Sequence, residues 1–78
     1  MKYELTTEER EQFHLDFSYH VPKIDQTVRY REIRDRAGLF AVFLFENCPR
    51  SRELSLAVTK LEEAVFWANA AIARNERG

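Results

Sequence analysis

Three apolar rows, each stepping by seven, run along the last third of the chain: Leu54, Leu61, Ala68; Val58, Val65, Ile72; and Ala57, Ala64, Ala71. At about 100° per residue these positions fall on one broad face of a single helix, with an alanine margin that lets a partner helix approach closely. The pattern is that of a packing helix without a plain polar back. Leu56, Phe66 and Trp67 project away from that face, where a monomer would carry charge, and such a surface calls for another subunit.

Only two glycines and two prolines punctuate the remainder. Thr6 followed by Glu9 is a capping-box pattern, which starts a short helix running to about Phe13 or Leu15. Pro22 disfavours helix at Val21 and suits the first turn of the next element. Helix two is expected from about Lys23 or Asp25 to Asn47, with Ile33, Ala37, Phe40 and Leu44 as its core row at the spacing of a two-helix seam. Cys48 and Pro49 end it, and Pro49 or Ser51 opens the third helix. Two long helices joined by so short a turn lie antiparallel. The expectation is therefore all-α: one helical domain with an N-terminal helix and turn over 1–22, helix two over 23–48 and helix three over 49–76.

The segment from Leu39 to Phe45 is apolar all round, and a helix without a polar face is buried on every side. A three-helix monomer of 78 residues cannot arrange that, and 45% apolar residues with ten aromatics (one Trp, three Tyr, six Phe) exceed what one hairpin buries. Val42, Phe43 and Phe45 are accordingly expected in a subunit interface together with Phe66 and Trp67. Gly38, inside helix two, reads either as a close helix approach or as a place where a ligand comes near the backbone.

Charge and cysteine usage narrow the partners. Cys48 stands alone, so no intrachain disulfide forms; with no apolar segment at the N-terminus, the expectation is a cytoplasmic protein that does not enter a membrane. A formal net charge of −1 lacks the positive footprint of a protein that holds long nucleic acid. A small anion held by two or three focused cations needs only local charge. Catalytic constellations are missing. His14 and His20 have no third ligand for zinc, Glu62 and Glu63 point about 100° apart, and no phosphate-cradling glycine loop or nucleophile elbow occurs. No enzyme activity, no metal and no cofactor are expected.

The remaining chemistry suits nucleobases and phosphates. Bases need an aromatic or guanidinium plane to stack on, and phosphodiesters need N–H donors. Tyr19, with His20 and Lys23 beside it and Arg34 further along helix two, supplies both; equally, Tyr19 packs at the turn and Arg34 pairs with local carboxylates. Lys60, Trp67 and Arg74 share a stripe on helix three, where Arg74 is either a ligand cation or a partner for the helix dipole. Arg31 with Asp35 and Glu32 with Arg36 read as ordinary surface pairs.

Two stretches carry a family resemblance: SRELSLAVTKLEEAVFWANAAIARNE, from Ser51 to Glu76, and FSYHVPKIDQTVRYREIR, from Phe17 to Arg34. In that order they resemble the phage anti-CBASS sponge family, small helical proteins that sequester cyclic oligonucleotide second messengers. The resemblance implies a homo-hexamer that blocks host immune signalling from the host cytoplasm without catalysis. It implies a cyclic dinucleotide site between paired subunits at Tyr19 and Arg34, the latter standing where the family carries lysine, and His20, Pro22 and Lys23 beside Tyr19 complete the expected set. It further implies a separate cyclic trinucleotide site where three subunits meet, at Arg74 with Arg77. A hexamer with two-fold and three-fold axes matches ligands of the same symmetries. Two other classes stay open: a small helical adaptor or inhibitor that binds a host protein through its apolar faces, and a phosphodiesterase that destroys the messenger.

Overall fold

The computed structural model describes residues 3–19 and 21–76. Three helices follow one another: α1 (Thr7–Asp16), α2 (Ile24–Asn47) and α3 (Arg52–Asn75). Their starts are set by local chemistry. Thr6 Oγ1 accepts from the Glu9 amide at 3.1 Å while Glu9 Oε1 accepts from the Thr6 amide at 2.8 Å, a reciprocal capping box. Ser51 caps α3, its Oγ accepting from the Leu54 amide at 3.2 Å, so the third helix begins after Pro49 and not at it. At the turn between the long helices, Arg50 donates to the Phe45 carbonyl at 2.6 Å and lays its guanidinium 4.4 Å from the Phe45 ring centre. One of the orphaned carbonyls at the end of α2 is thereby satisfied.

The long helices pack as an antiparallel hairpin, and Leu54 is the one apolar residue among those described that is buried. Two of the three expected α3 rows form the seam, with Val58, Leu61, Val65, Ala68 and Ile72 half-buried beside Leu54; the third row, Ala57, Ala64 and Ala71, is exposed. On α2 the seam is Ile33, Ala37, Ala41, Leu44 and Cys48. Phe40, expected in that row, is instead 51% exposed and stacks on Phe43 with ring centres 6.3 Å apart. The small Ala41 side chain lets the helices close where a phenyl ring would hold them apart. Gly38 needs no such approach inside the protomer, because a Cβ added there meets nothing within 4 Å.

The hairpin is thin and open. Its radius of gyration is 17.4 Å with extents of 51 × 37 × 14 Å, whereas a compact chain of this length would have about 11.5 Å. It exposes 6850 Å² where a compact monomer of its mass exposes about 5,000 Å². Leu39, Phe43, Leu56, Phe66 and Trp67 all face solvent in the protomer. No helix among the described residues is long and apolar enough to cross a membrane.

Candidate functional site

The open end of the hairpin, opposite the Pro49 turn, is held by polar contacts. Gln26, although polar, is buried at 5% exposure: its Oε1 accepts from the Lys23 amide at 2.8 Å and its Nε2 donates to the Glu76 carbonyl at 3.0 Å. One residue thus caps the start of α2 and the end of α3 together. Arg29 adds a two-pronged contact to the Glu76 carboxylate, with Nη1 donating at 2.9 Å and Nη2 at 2.5 Å, and reaches Asp25 at 3.0 Å on its own helix. These hydrogen bonds hold the Glu76 carboxyl below its ordinary 4.5, and the Arg29 charge, Gln26 and Lys23 push the same way against partial desolvation. The Arg29 guanidinium is correspondingly raised, first by its hydrogen bond to Glu76.

Over this clamp lies a depression of about 270 Å³ lined by Tyr19, Pro22, Lys23, Gln26, Tyr30 and Glu76. Tyr19 is 84% exposed, so its ring is available as a stacking plane and is not packed into the turn. A second depression, of about 420 Å³, is lined by Tyr30, Arg34, Asn69, Ala70 and Ala73. Tyr30 and Ala73 belong to both. They join the Tyr19 turn to Arg34 along one side of the open end. Among the described residues no carboxylate pairs with Arg34, which leaves its guanidinium available.

Arg74 stands elsewhere than its distance in sequence suggests. With Leu15, Asp16, Ser18 and Tyr19 it lines a third depression of about 290 Å³, so the Tyr19 turn and the end of α3 are neighbours within one protomer. Arg74 Nε lies 3.7 Å from Asp16 Oδ1, which also accepts from Gln12 Nε2 at 2.9 Å. Of the expected surface pairs, Glu32 and Arg36 meet at 2.6 Å. His20 and Arg77, the other two expected site residues, lie outside the described residues.

Four expected residues, Tyr19, Pro22, Lys23 and Arg34, therefore border two joined depressions, and Arg74 borders a third that also includes Tyr19. Sequence reasoning missed Gln26, Tyr30 and Asn69. Tyr30 lies one helical turn before Arg34, a spacing that puts the two on one face, and this was the available signal. Gln26 and Asn69 acquire their surroundings only when the hairpin closes. Among the described residues no group of three His, Cys, Asp or Glu is placed to hold a metal ion.

On the far side of Arg34, a groove of about 380 Å³ runs between the long helices past Gly38, Ala41, Val58, Leu61 and Phe66. Its lining is mostly apolar, with Arg34, Glu62 and Asn69 as the polar residues that border it.

No curated protein and no solved structure gave a match. A family model does match, that of the Acb2/Tad1 hairpin domain, over residues 9–73. This span takes in α2, nearly all of α3 and most of α1, and with them Tyr19, Lys23 and Arg34. The chain belongs to the Acb2/Tad1 hairpin-domain family of anti-CBASS sponges.

Proposed function

We propose that this protein binds and sequesters cyclic oligonucleotide second messengers, and so blocks host anti-phage signalling, without converting them chemically. The observation that carries this reading is the wall shared by the two depressions: Tyr30 and Ala73 border both, with the exposed Tyr19 ring and Lys23 on one and an unpaired Arg34 on the other. A nucleobase stacks on the first and a phosphodiester meets the cations. The Arg34 guanidinium offers a planar fork to phosphate where lysine offers a point charge. Retention needs only tighter binding than the host effector has.

The working form is a homo-hexamer in this reading, located in the cytoplasm of the infected cell. The thin, open protomer and its outward Leu39, Phe43, Phe66 and Trp67 support self-association. Cyclic dinucleotides lie between paired subunits, with Tyr19, His20, Pro22, Lys23 and Arg34 as contacts. Cyclic trinucleotides lie where three subunits meet, at Arg74 with Arg77; there the ligand phosphate replaces Asp16 as the partner of Arg74. The alternative, an adaptor that engages a host protein, draws on the apolar groove beside Phe66. It requires a monomer or dimer before the partner is met.

The test is a release assay. Protein is incubated with cyclic di-AMP, separated from free ligand and denatured; intact ligand is expected in the released fraction, and linear product would mean catalysis. Tyr19→Ala should capture at least tenfold less, since stacking contributes on the order of 1 to 3 kcal/mol per base. Undiminished capture by that variant would place the site elsewhere.

A further inference from the structure

Among the described residues, one buried side-chain polar atom has no partner: Asn69 Oδ1, which no donor reaches. An amide oxygen has two lone pairs to satisfy, and a buried orphan costs stability comparable to a lost hydrogen bond. The local sequence makes its presence odder, because Asn69 sits within Ala68, Ala70 and Ala71 on α3, where alanine is the best helix former and asparagine a poor one. At this position the chain departs from both polar satisfaction and helix propensity. Such departures mark function when a nearby gain explains them.

The gain available here is chemical. Asn69, like Arg34, lines both the Tyr30 depression and the apolar groove, so its side chain stands at the border of the two. Its amide carries an acceptor and a donor side by side. This pair matches the adenine edge, whose exocyclic N6 donates and whose N7 accepts; the corresponding edge of guanine offers two acceptors and satisfies only half of it.

We infer that Asn69 is the base-selecting residue of this site, its amide meeting the N6 and N7 edge of an adenine seated between Tyr30 and Arg34. The inference rests on the cyclic-nucleotide reading above and adds to it a preference. The ligand class is then a cyclic oligonucleotide containing adenine.

Titration calorimetry tests it with three probes on the intact protein: cyclic di-AMP, its purine-riboside analogue that lacks only the two amino groups, and cyclic di-GMP. The unsubstituted protein should bind cyclic di-AMP about tenfold more tightly than either of the others. Asn69→Ala should bind cyclic di-AMP and the analogue equally, with a melting temperature at or above that of the parent, because the orphan is gone and alanine suits the helix. A purely structural Asn69 would leave the preference in place. Equal affinity of the parent for the analogue, or a preference that survives in Asn69→Ala, overturns the inference. The sponge reading fails separately: it is overturned if none of the three binds, or if Tyr19→Ala and Arg34→Ala leave cyclic di-AMP affinity unchanged.

Discussion

At the turn end of the hairpin, between Leu39 and Leu56, most large apolar side chains face outward and the local polar bonds stay within the turn: Arg50 to the Phe45 carbonyl, Ser51 to the Pro49 carbonyl. At the open end, polar bonds tie residues about fifty positions apart, Gln26 and Arg29 to Glu76, and the Tyr19 depression lies over Gln26 and Glu76. Both ends leave apolar surface in water; the turn end sets Arg50 over the Phe45 ring, whereas at the open end Lys23 and the exposed Tyr19 ring line one depression and Arg34 lines the next. The difference gives the two ends separate chemistry. An apolar surface without polar direction suits association with further copies of the chain, whereas focused cations and aromatic planes suit a small anionic ligand.

The largest effect expected from this division comes from a charge on the apolar end. Phe43→Asp, at a position 56% exposed in the protomer, should leave the helices intact by circular dichroism yet dissociate the assembly. The cost arises only when the carboxylate is buried unpaired between subunits, at several kcal/mol. Light scattering should read near six times 9.3 kDa for the parent and a small fraction of that for the variant. An unchanged particle mass would remove the apolar end from the interface. Trp67→Glu, toward the middle of α3, should act the same way and so report how far the interface extends along the hairpin.

A smaller effect is confined to the open end. Arg74→Ala should nearly abolish binding of a cyclic trinucleotide, because three symmetry-related contacts are lost together at roughly 1.5 to 3 kcal/mol each. Cyclic dinucleotide binding should persist through Tyr19 and Arg34. The closeness of Arg74 to Tyr19 within the protomer sharpens this comparison, since the two ligands then use neighbouring walls of one region. Equal weakening of both ligands in an intact hexamer would make them occupants of a single pocket.

The smallest expected effect is a pH dependence of the clamp. Glu76 titrates below its ordinary 4.5 in the folded chain, so its contribution to stability is complete above about pH 5. It is lost as pH falls from there through the depressed value, where the carboxyl takes up a proton and Arg29 loses its partner. Glu76→Gln should therefore melt lower than the parent at pH 7, and the gap should close on acidification below about pH 4.5. A gap that stays constant from pH 7 to pH 3 would show that the Arg29 pair contributes nothing.

Much of the fold was legible in the sequence because its causes are local. The Thr6 and Glu9 capping box, the Pro22 break, the Ser51 cap and two of the three heptad rows of α3 each act within a turn or two of chain and appear where they were read, while the Ala57, Ala64 and Ala71 row is exposed. The outward Leu56, Phe66 and Trp67 followed from the same angular arithmetic. On α2 the same arithmetic placed Phe40 in the row between Ala37 and Leu44, and the structure puts Ala41 there instead. Packing chose the alanine, because the distance between helices is a property of both and is not written in either.

For the candidate site, the sequence by itself determined the residue types: a tyrosine at a proline-marked turn, a lysine near it, an arginine on the next helix and another near the end of the last. Only the tertiary structure decided their company. The antiparallel return of α3 brings Glu76 onto Gln26 and Arg29, sets Arg74 beside Asp16 and Tyr19, and leaves Asn69 Oδ1 without a donor beside Arg34. The physical reason is one of range. Caps and periodicity are fixed by bonds spanning three or four residues, whereas contacts between chain positions about fifty apart depend on the register at which two helices lock, and that register is set by the whole seam at once.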